Sequence, residues 1–178
     1  MNAKSKQRIE SKERILNVAC RLFKKNGYSA TGIDLVMSEA GLTAGGFYAH
    51  FRSKTDLLEQ AIEHSMKHSR QLLIKDTEHL SGEEKIKAIM NRYISAGHRD
   101  LAEKGCILPA LAAEIPRGTK KSNQLVSYYI RKWADEISQH MPHENALALI
   151  SKAVGAILLS RMVNKTDLSD QIISAARL

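Results

Sequence analysis

Side chains that suit contact with the sugar-phosphate backbone of a nucleic acid cluster in the first third of this sequence. Hydroxyl, imidazole and ammonium groups bind phosphate oxygens through hydrogen bonds or charge. The residues that carry such groups are Thr31, Thr43, Tyr48, His50 and Lys54. Among them two glycines, Gly45 and Gly46, stand directly before an aromatic run. Because glycine inside a helix costs about 1 kcal/mol relative to alanine, the pair indicates a helix start whose backbone comes close to another molecule.

Three short helices are expected to position these groups. An apolar stripe of helical period between Ile15 and Phe23 predicts the first helix, which Gly27 ends. Thr31 is predicted to open the second helix, because Asp34 follows where a capping-box acid belongs. Gly41 then breaks that helix before a third begins. A first helix followed by two helices joined through a tight glycine turn is the helix-turn-helix pattern of DNA-binding proteins.

Positive charge is concentrated in the same part of the chain. The formal net charge is +8, and residues 1–56 hold ten lysines and arginines against five acidic residues. Such a balance favours a polyanionic partner, although a solvated basic surface is the alternative. The basic residues at the N-terminus either follow phosphates or a minor groove, or form a solvated tail. They are Lys4, Lys6, Arg8, Lys12 and Arg14.

The segment "GYSATGIDLVMSEAGLTAGGFYAHFRSKTDLL" resembles the DNA-binding domain of the TetR/AcrR family of bacterial transcriptional regulators. The resemblance spans Ile9 to Ala61 and is strongest in "FYAHFRSKTDLL". It implies that the groups matching Thr31, Tyr48, His50 and Lys54 contact phosphates or edge into the groove. It also implies that Thr43, Ala44, Gly45 and Gly46 face the bases. In many relatives the positions of Ala44 and Gly46 carry larger side chains, so Thr43, the backbone and the Ala44 methyl group are the expected readers here.

Composition and helical periodicity predict an all-α protein of about nine helices, and the resemblance implies how they divide. Residues 1–53 would form the helix-turn-helix DNA-binding domain, and residues 54–178 a helical ligand-binding and dimerisation domain. Within the second part, periodicity predicts a helix that ends near Glu103 and a short helix between Pro109 and Pro116. The mostly apolar stretch Ala146–Val163 is either the core of the monomer or part of a dimer interface. The resemblance favours a homodimer interface, together with Asp167–Leu178.

A pocket for a small-molecule effector is expected among the middle helices. Its candidate residues are Met90, Tyr93, Ile94, Cys106, Leu108, Leu111, Tyr129 and Trp133. The same residue types at helical spacing also suit plain core packing. Cys106 is either a buried core thiol or a thiol that senses oxidants or electrophiles, since a nearby positive charge would activate it.

The function expected from these features is a ligand-responsive repressor that binds operator DNA as a homodimer, is released by an effector or by modification of Cys106, and uses no cofactor. The alternative is an architectural DNA-binding dimer without an effector. An enzyme is disfavoured, because the His-Arg-Asp-Leu run at residues 98–101 has no kinase-like companions. A metal site at His64 and His68 has no clear third ligand. The N-terminus has no apolar signal-peptide core, and two distant cysteines suit a reducing cytoplasm.

Overall fold

The structure is a computed structural model that describes residues 2–164 and 166–178, and all regular elements in these residues are helical. The all-α prediction is therefore confirmed for the described part of the chain, as is the count of about nine helices. The α-helices are α1 (Ala3–Asn26), α2 (Ile33–Glu39), α3 (Lys54–Ile74), α4 (Gly82–Tyr93), α5 (Ala96–Asp100), α6 (Ile107–Ala110), α7 (Lys120–Ser138), α8 (His143–Met162) and α9 (Asp167–Ala176). Three short 3₁₀-helices cover Ala44–Ala49, Ala102–Lys104 and Ile115–Arg117.

The N-terminal unit consists of α1, α2 and the 3₁₀-helix Ala44–Ala49, which is called the recognition helix below. Gly27 ends α1 with a φ of 86°, a left-handed region that suits glycine, and its N–H donates to the Phe23 carbonyl at 3.0 Å. Gly41 ends the second helix in the same way with a φ of 65°. Phe47 and Phe51 lie buried beneath the recognition helix with ring centroids 5.6 Å apart. These aromatic rings fix the recognition helix on the core.

The predicted helix start at Thr31 is wrong. Gly32 is the N-cap of α2 and has no side-chain cap bond. Thr31 is instead completely buried, and its hydroxyl donates to the Gly27 carbonyl at 2.7 Å. The reason is local: the end of α1 leaves a carbonyl without a helical partner four residues before a hydroxyl that can reach it. By contrast, the predicted cap at Ser53 is present, since the Asp56 N–H donates to the Ser53 hydroxyl at 3.0 Å.

Two helix boundaries in the second part differ from the sequence predictions. The helix expected to end near Glu103 ends at Tyr93, and Ser95 begins a separate short helix by accepting a hydrogen bond from the His98 N–H at 3.2 Å. The short helix expected between Pro109 and Pro116 lies earlier, because Pro109 is inside α6. Proline is tolerated in a first helical turn, where its missing N–H would have no helical acceptor.

The C-terminal part packs α8 against α7 and α9. One face of α8 is buried and carries Ala146, Leu149, Ile150, Ala153 and Ile157. By length and composition α8 alone could cross a membrane, but a core helix of a globular protein passes the same test. The packing of its buried face explains the apolar composition without a membrane.

Candidate DNA-binding surface and effector cavity

The recognition helix presents its first turn and one aromatic side chain to solvent. Thr43, Ala44 and Gly45 are exposed, and Gly46 is half-buried. Tyr48 is 71% exposed although it is a large aromatic residue. An exposed aromatic hydroxyl next to a helix start can donate to a phosphate, and the exposed backbone can approach base edges.

The two glycines are not required by the fold. A Cβ atom added at Gly45 would meet no other atom within 4 Å. One added at Gly46 would lie 3.7 Å from Met37 Cε and 3.8 Å from Thr43 Oγ1, which are ordinary contacts. Neither glycine has a positive φ. The packing beneath the recognition helix therefore does not explain why both positions are glycine, and their contact with bases stays a prediction.

Lys54 lies at the first position of α3, beside the turn between α1 and α2. Its ammonium group donates to the Ser29 carbonyl at 3.3 Å and lies 4.4 Å from the centre of the Tyr28 ring. These contacts hold the lysine at the edge of the N-terminal unit. The Thr31 hydroxyl is buried and satisfied, as described above, so Thr31 is not part of the exposed surface.

His50 lies at the end of the recognition helix, beside basic residues from the start of α1. Arg8 donates to the Ala49 carbonyl at 3.0 Å, and the Lys12 ammonium lies 5.6 Å from the centre of the Phe51 ring. Burial lowers the pKa of His50, and the charges of Arg8 and Lys12 lower it further. The basic residues expected in a tail therefore belong to α1, and two of them contact the recognition-helix region. Residues 8 and 12 are one helical turn apart, so the sequence already indicates that they share one face of a helix.

A carboxylate from the second part of the chain binds the turn between α1 and α2. Glu114 accepts hydrogen bonds from the backbone N–H groups of Tyr28 at 2.9 Å and Ser29 at 2.7 Å. A Cβ on Gly27 would lie 3.1 Å from this carboxylate, so the turn and the acid are closely fitted. Burial opposes ionisation, but these N–H donors and the charge of Lys54 outweigh it and lower the pKa of Glu114. No local sequence pattern predicts this pairing, because Glu114 is 86 residues away from Tyr28.

A second contact joins α3 to the start of α7. Glu59 is buried, and its carboxylate accepts from the Thr119 hydroxyl at 2.7 Å and pairs with Lys121 at 2.7 Å. Glu59 therefore joins α3 to α7, whereas Glu114 contacts the N-terminal unit.

The bundle encloses a cavity of about 420 Å³, within the range of roughly 300–1,000 Å³ that is typical of small-molecule sites. The elements around it are α3, α4 and α7. Five of the eight residues predicted for a pocket line this cavity, namely Met90, Tyr93, Cys106, Tyr129 and Trp133. The other three, Ile94, Leu108 and Leu111, lie in the hydrophobic core. Periodicity identifies inward-facing residues but cannot separate cavity walls from packed core.

The environment of Cys106 is that of a buried thiol. Burial raises the pKa of Cys106, although Lys24 and Arg161 act in the opposite direction. The other cysteine, Cys20, is also buried, and burial raises its pKa to about 11. Protonated thiols are weak nucleophiles, so neither side chain is activated in this conformation.

A polar network missed by the sequence predictions lies behind Cys106. The His98 ring bridges two backbone groups, because its Nδ1 lies 2.8 Å from the Tyr93 carbonyl and its Nε2 accepts from the Cys106 N–H at 2.9 Å. The side chain of Arg161 donates to the carbonyls of His98 at 2.6 Å and Arg99 at 3.1 Å. The candidate catalytic loop at residues 98–101 is therefore part of a structural network.

An apolar surface remains exposed along α8, α9 and the C-terminus. Its large side chains are Leu147, Leu159, Met162, Leu168 and Leu178. Leu159 and Met162 are three residues apart on α8 and therefore lie on one face of it, and grouped exposed apolar side chains are typical of protein interfaces.

His64, one of the two histidines considered as metal ligands, has a hydrogen-bond partner, because its Nε2 lies 2.8 Å from Asn17 Oδ1. In residues 2–164 and 166–178, no group of three or more potential metal-binding side chains occurs.

Comparison with known proteins agrees with this geometry. A family profile described as "Bacterial regulatory proteins, tetR family" matches residues 15–61, the part that contains the recognition helix. The uncharacterized HTH-type transcriptional regulator YerO of Bacillus subtilis is 34% identical over 125 residues, which are 69% of this chain and 41% of YerO. The HTH-type transcriptional regulator AcrR of Shigella flexneri is 41% identical over 64 residues, or 35% of this chain and 30% of AcrR. These alignments thus span less than half of either relative.

The fold is similar to that of a TetR transcriptional regulator from Chloroflexus aurantiacus, with a TM-score of 0.82 at 22% identity over 96% of this chain and 94% of that one. The match therefore extends through both the N-terminal unit and the bundle. From the profile, the relatives and the shared fold, we conclude that the chain belongs to the TetR/AcrR family of transcriptional regulators and carries its DNA-binding helix-turn-helix.

Proposed function

We propose that this chain is a homodimeric repressor that binds operator DNA and is released by a small-molecule effector. The observation that carries the proposal is the joint placement of an exposed recognition helix and an enclosed cavity in one structure. Glu114 connects the two parts through the Tyr28 and Ser29 N–H groups. A regulator needs both a reading surface and a responsive site, and a physical connection between them.

In the proposed complex the first turn of the recognition helix enters a major groove. Thr43, Ala44, Gly45 and Gly46 face the bases, and the Ala44 methyl group can contact a thymine methyl group. The side chains of Tyr48, His50 and Lys54 contact phosphates at the groove edges. With so few side chains at the bases, part of the specificity comes from the shape of the DNA.

The homodimer forms through the exposed apolar side chains of α8 and α9, within Ala146–Val163 and Asp167–Leu178. Burial of such side chains contributes roughly 25 cal/mol per Å² of apolar area. Two-fold pairing would place the two recognition helices about 34–36 Å apart, so that each enters one of two successive major grooves.

An effector in the cavity acts by favouring a conformation in which this spacing no longer fits the operator. A coupling free energy of about 1–3 kcal/mol changes operator occupancy several-fold. The effector would contact α4 and α7, Glu59 would connect α7 to α3, and the connection to the N-terminal unit would run through Glu114. Modification of Cys106 is a second candidate trigger, because this thiol forms part of the cavity wall. Its raised pKa favours the non-covalent effector.

A gel-shift titration on the DNA next to the chain's own coding sequence tests the proposal. We expect salt-sensitive, sequence-preferring binding below micromolar concentration. Binding that does not discriminate this DNA from a scrambled duplex would contradict it.

An unregulated architectural DNA-binding dimer is the alternative, and a thermal-shift screen with candidate effectors separates the two. A regulated protein gains stability in proportion to the logarithm of ligand concentration once the cavity is occupied. The chain would act in the bacterial cytoplasm, where its operator DNA is located.

A further inference from the structure

The cavity of about 420 Å³ shares a wall with a second cavity of about 210 Å³. Four residues line both, namely Ser69, Leu73, Tyr93 and Cys106. The second cavity continues toward the turn that carries His98 and Gly105. Tyr93, the last residue of α4, lines both cavities and therefore lies at the wall that they share.

The hydroxyl of Tyr93 is buried and lacks a conventional hydrogen-bond partner. The residue is 1% exposed, and within the described residues no oxygen or nitrogen atom pairs with its hydroxyl. Only the Cys106 thiol lies beside it, and a thiol sulfur is a weak acceptor. A buried hydroxyl without a partner costs about 1–3 kcal/mol, and such groups in native proteins need an explanation.

The Tyr93 ring cannot easily turn its hydroxyl toward water. The His98 ring packs edge-on with its centroid 4.4 Å away, and the Trp133 ring lies 5.5 Å away. The His98 bond to the Tyr93 carbonyl fixes the same residue from behind. The ring is thus held in place, and with it the buried hydroxyl of a residue that lines both cavities. Burial also raises the pKa of Tyr93, so the hydroxyl keeps its proton and can donate it in a hydrogen bond.

Positive charge lies behind this wall. Lys24 donates to the Gly105 carbonyl at 3.0 Å, and Arg161 donates to the His98 and Arg99 carbonyls. Over residues 2–164 and 166–178, neither cation forms a salt bridge with a carboxylate. Glu103 interacts electrostatically with both cations, so the three charges together leave a net positive charge. This charge creates a potential that favours an electronegative atom near Tyr93 and Cys106. The same potential disfavours a cationic group.

The larger cavity is lined by aliphatic side chains and also by charged ones, namely Arg70, Glu78, Lys85, Lys132 and Glu136. Its apolar wall includes Met66, Leu73, Ile74, Ile86, Ile89 and Met90. Such a wall accommodates a hydrocarbon chain, which gains about 0.8 kcal/mol for each buried methylene group.

We propose that the Tyr93 hydroxyl anchors an acceptor oxygen, either carbonyl or carboxylate, of a mostly aliphatic effector whose hydrocarbon chain fills the larger cavity. The inference rests on the proposed function and assigns the ligand class of its effector site. The ligand oxygen would satisfy the buried hydroxyl, which the protein alone leaves without a strong partner.

Trp133 provides the assay, because it is the single tryptophan of the chain and lines the larger cavity. Its fluorescence is followed during titration with octanoate, octanamide and octylamine, three probes with the same alkyl chain. Octanoate, octanamide or both should bind, whereas the cationic amine should bind at least about tenfold more weakly. Comparable binding of octylamine, or no binding of any probe, would overturn the proposal.

Two matched variants test the role of the hydroxyl. Tyr93→Phe removes one oxygen and should weaken the acceptor-bearing probes about 5- to 10-fold, the scale of one hydrogen bond. Tyr128→Phe makes the same change at an exposed tyrosine of α7 that is outside the cavity lining, and should leave probe binding unchanged. Equal effects of the two variants, or none, would contradict the assignment of Tyr93.

The melting temperature and the gel shift separate the possible failures. Tyr93→Phe without ligand should melt at or above the wild-type temperature, because it removes a buried hydroxyl that has no strong partner. A clearly lower melting temperature would mean that the hydroxyl is satisfied within the protein and would overturn the inference. Operator binding without a probe depends only on the proposed DNA-binding function. If it fails while the probe series behaves as expected, the proposed function is wrong and the assignment of the site stands.

Discussion

The two adjacent glycines of the recognition helix show how a single residue type can serve a surface rather than a fold. Both positions have room for a side chain, and neither has a positive φ. Replacement should therefore change what the helix presents while the core beneath, with Phe47 and Phe51, stays intact.

Gly46→Leu should change the free energy of unfolding by only a few tenths of a kcal/mol, so its melting temperature should stay within about 1 °C of the wild-type value. Operator affinity should fall at least about tenfold, because the new side chain fills the space where the backbone approaches the bases. Gly97→Leu is the control, since its Cβ also meets no atom within 4 Å but lies in α5. Fluorescence anisotropy with labelled operator measures the operator affinity of both variants. Unchanged binding of the Gly46 variant would mean that this turn does not face the groove.

Gly105 gives the opposite prediction at the same scale. A Cβ there would lie 2.3 Å from His98 Cδ2 and 2.6 Å from His98 Nε2. Gly105→Ala must therefore displace the ring that bridges Tyr93 and Cys106, at a cost of about 1–3 kcal/mol. Urea denaturation measures the loss, and Gly97→Ala is the matched control because that site is open. Equal stability of the two variants would show that the His98 ring moves freely.

The local sequence predicted some of these residues and not others. Exposed residues of the recognition helix follow from helix-turn-helix spacing, and the Ser53 cap follows from its capping pattern. Thr31 was misassigned because two acceptable local uses compete for one hydroxyl, capping α2 or satisfying the end of α1. In the structure the Thr31 hydroxyl donates to the Gly27 carbonyl at 2.7 Å. The role of His98 could not be predicted, because its partners become neighbours only when α4, α5 and α6 fold together.

At the scale of elements, the short segment from α5 to α6 links the cavity, Arg161 on α8 and the end of α1. His98 is the centre of this segment and is neutral in its hydrogen-bonding role. Burial lowers the pKa of His98 to about 4, the Tyr93 carbonyl opposes this, and the charges of Arg161 and Lys24 lower the pKa further.

This pKa predicts an acid-sensitive joint. An unfolded histidine has a pKa of about 6.5, so protons bind the unfolded chain more readily than the folded one. The stability contribution is fully present above about pH 6.5 and is lost as the pH falls toward about 4, by at most about 3 kcal/mol. Urea denaturation at a series of pH values should show this loss. The loss should be absent in His98→Asn. If the free energy of unfolding of that variant depends on pH as in the wild type, the prediction is contradicted.

The contact between Glu114, which follows α6, and the turn after α1 is a second feature at the scale of elements. Glu114→Gln should weaken the bonds to the Tyr28 and Ser29 N–H groups, because an amide has one acceptor oxygen instead of two. Hydrogen exchange at these two amides should become faster, and stability should fall by about 1–3 kcal/mol. Glu13→Gln, at an exposed position of α1, is the control. Equal exchange in both variants would mean that the carboxylate does not hold the turn.

The helices of the second part were largely predictable where periodicity was long and uninterrupted, as in α7 and α8. Prediction failed between Tyr93 and Pro116, where Ser95, Gly105 and Pro109 divide the chain into very short helices. Helices of four or five residues have too little periodicity to identify, and tertiary contacts stabilise them. The cavity wall lies beside this region, and so it could be predicted only in part.

At the scale of the whole molecule, the exposed apolar face of α8 and α9 is expected to be buried in the homodimer. Met162 is 71% exposed and Leu159 is 52% exposed, although both lie on a helix whose other face is core. The double variant Leu159→Glu, Met162→Glu should shift the protein from dimer to monomer, because it would bury charges in the interface. Sedimentation velocity measures the change.

The control for this variant is Leu72→Glu, which changes an exposed leucine on α3. It should leave the dimer intact. The monomeric variant should also lose high-affinity operator binding, since a single helix-turn-helix contacts only one half-site. A double variant that remains dimeric would place the interface elsewhere.

The open space around Gly45 and Gly46 has a consequence for how this regulator can acquire new targets. Because a Cβ at Gly45 would meet no atom within 4 Å, a substitution there can add a hydrogen-bonding group to the proposed reading face with little effect on stability. An arginine would favour guanine and an asparagine would favour adenine. The chain is thus a natural starting scaffold for altered operator preference, and its repertoire can be mapped by selecting binders from a randomised two-codon library.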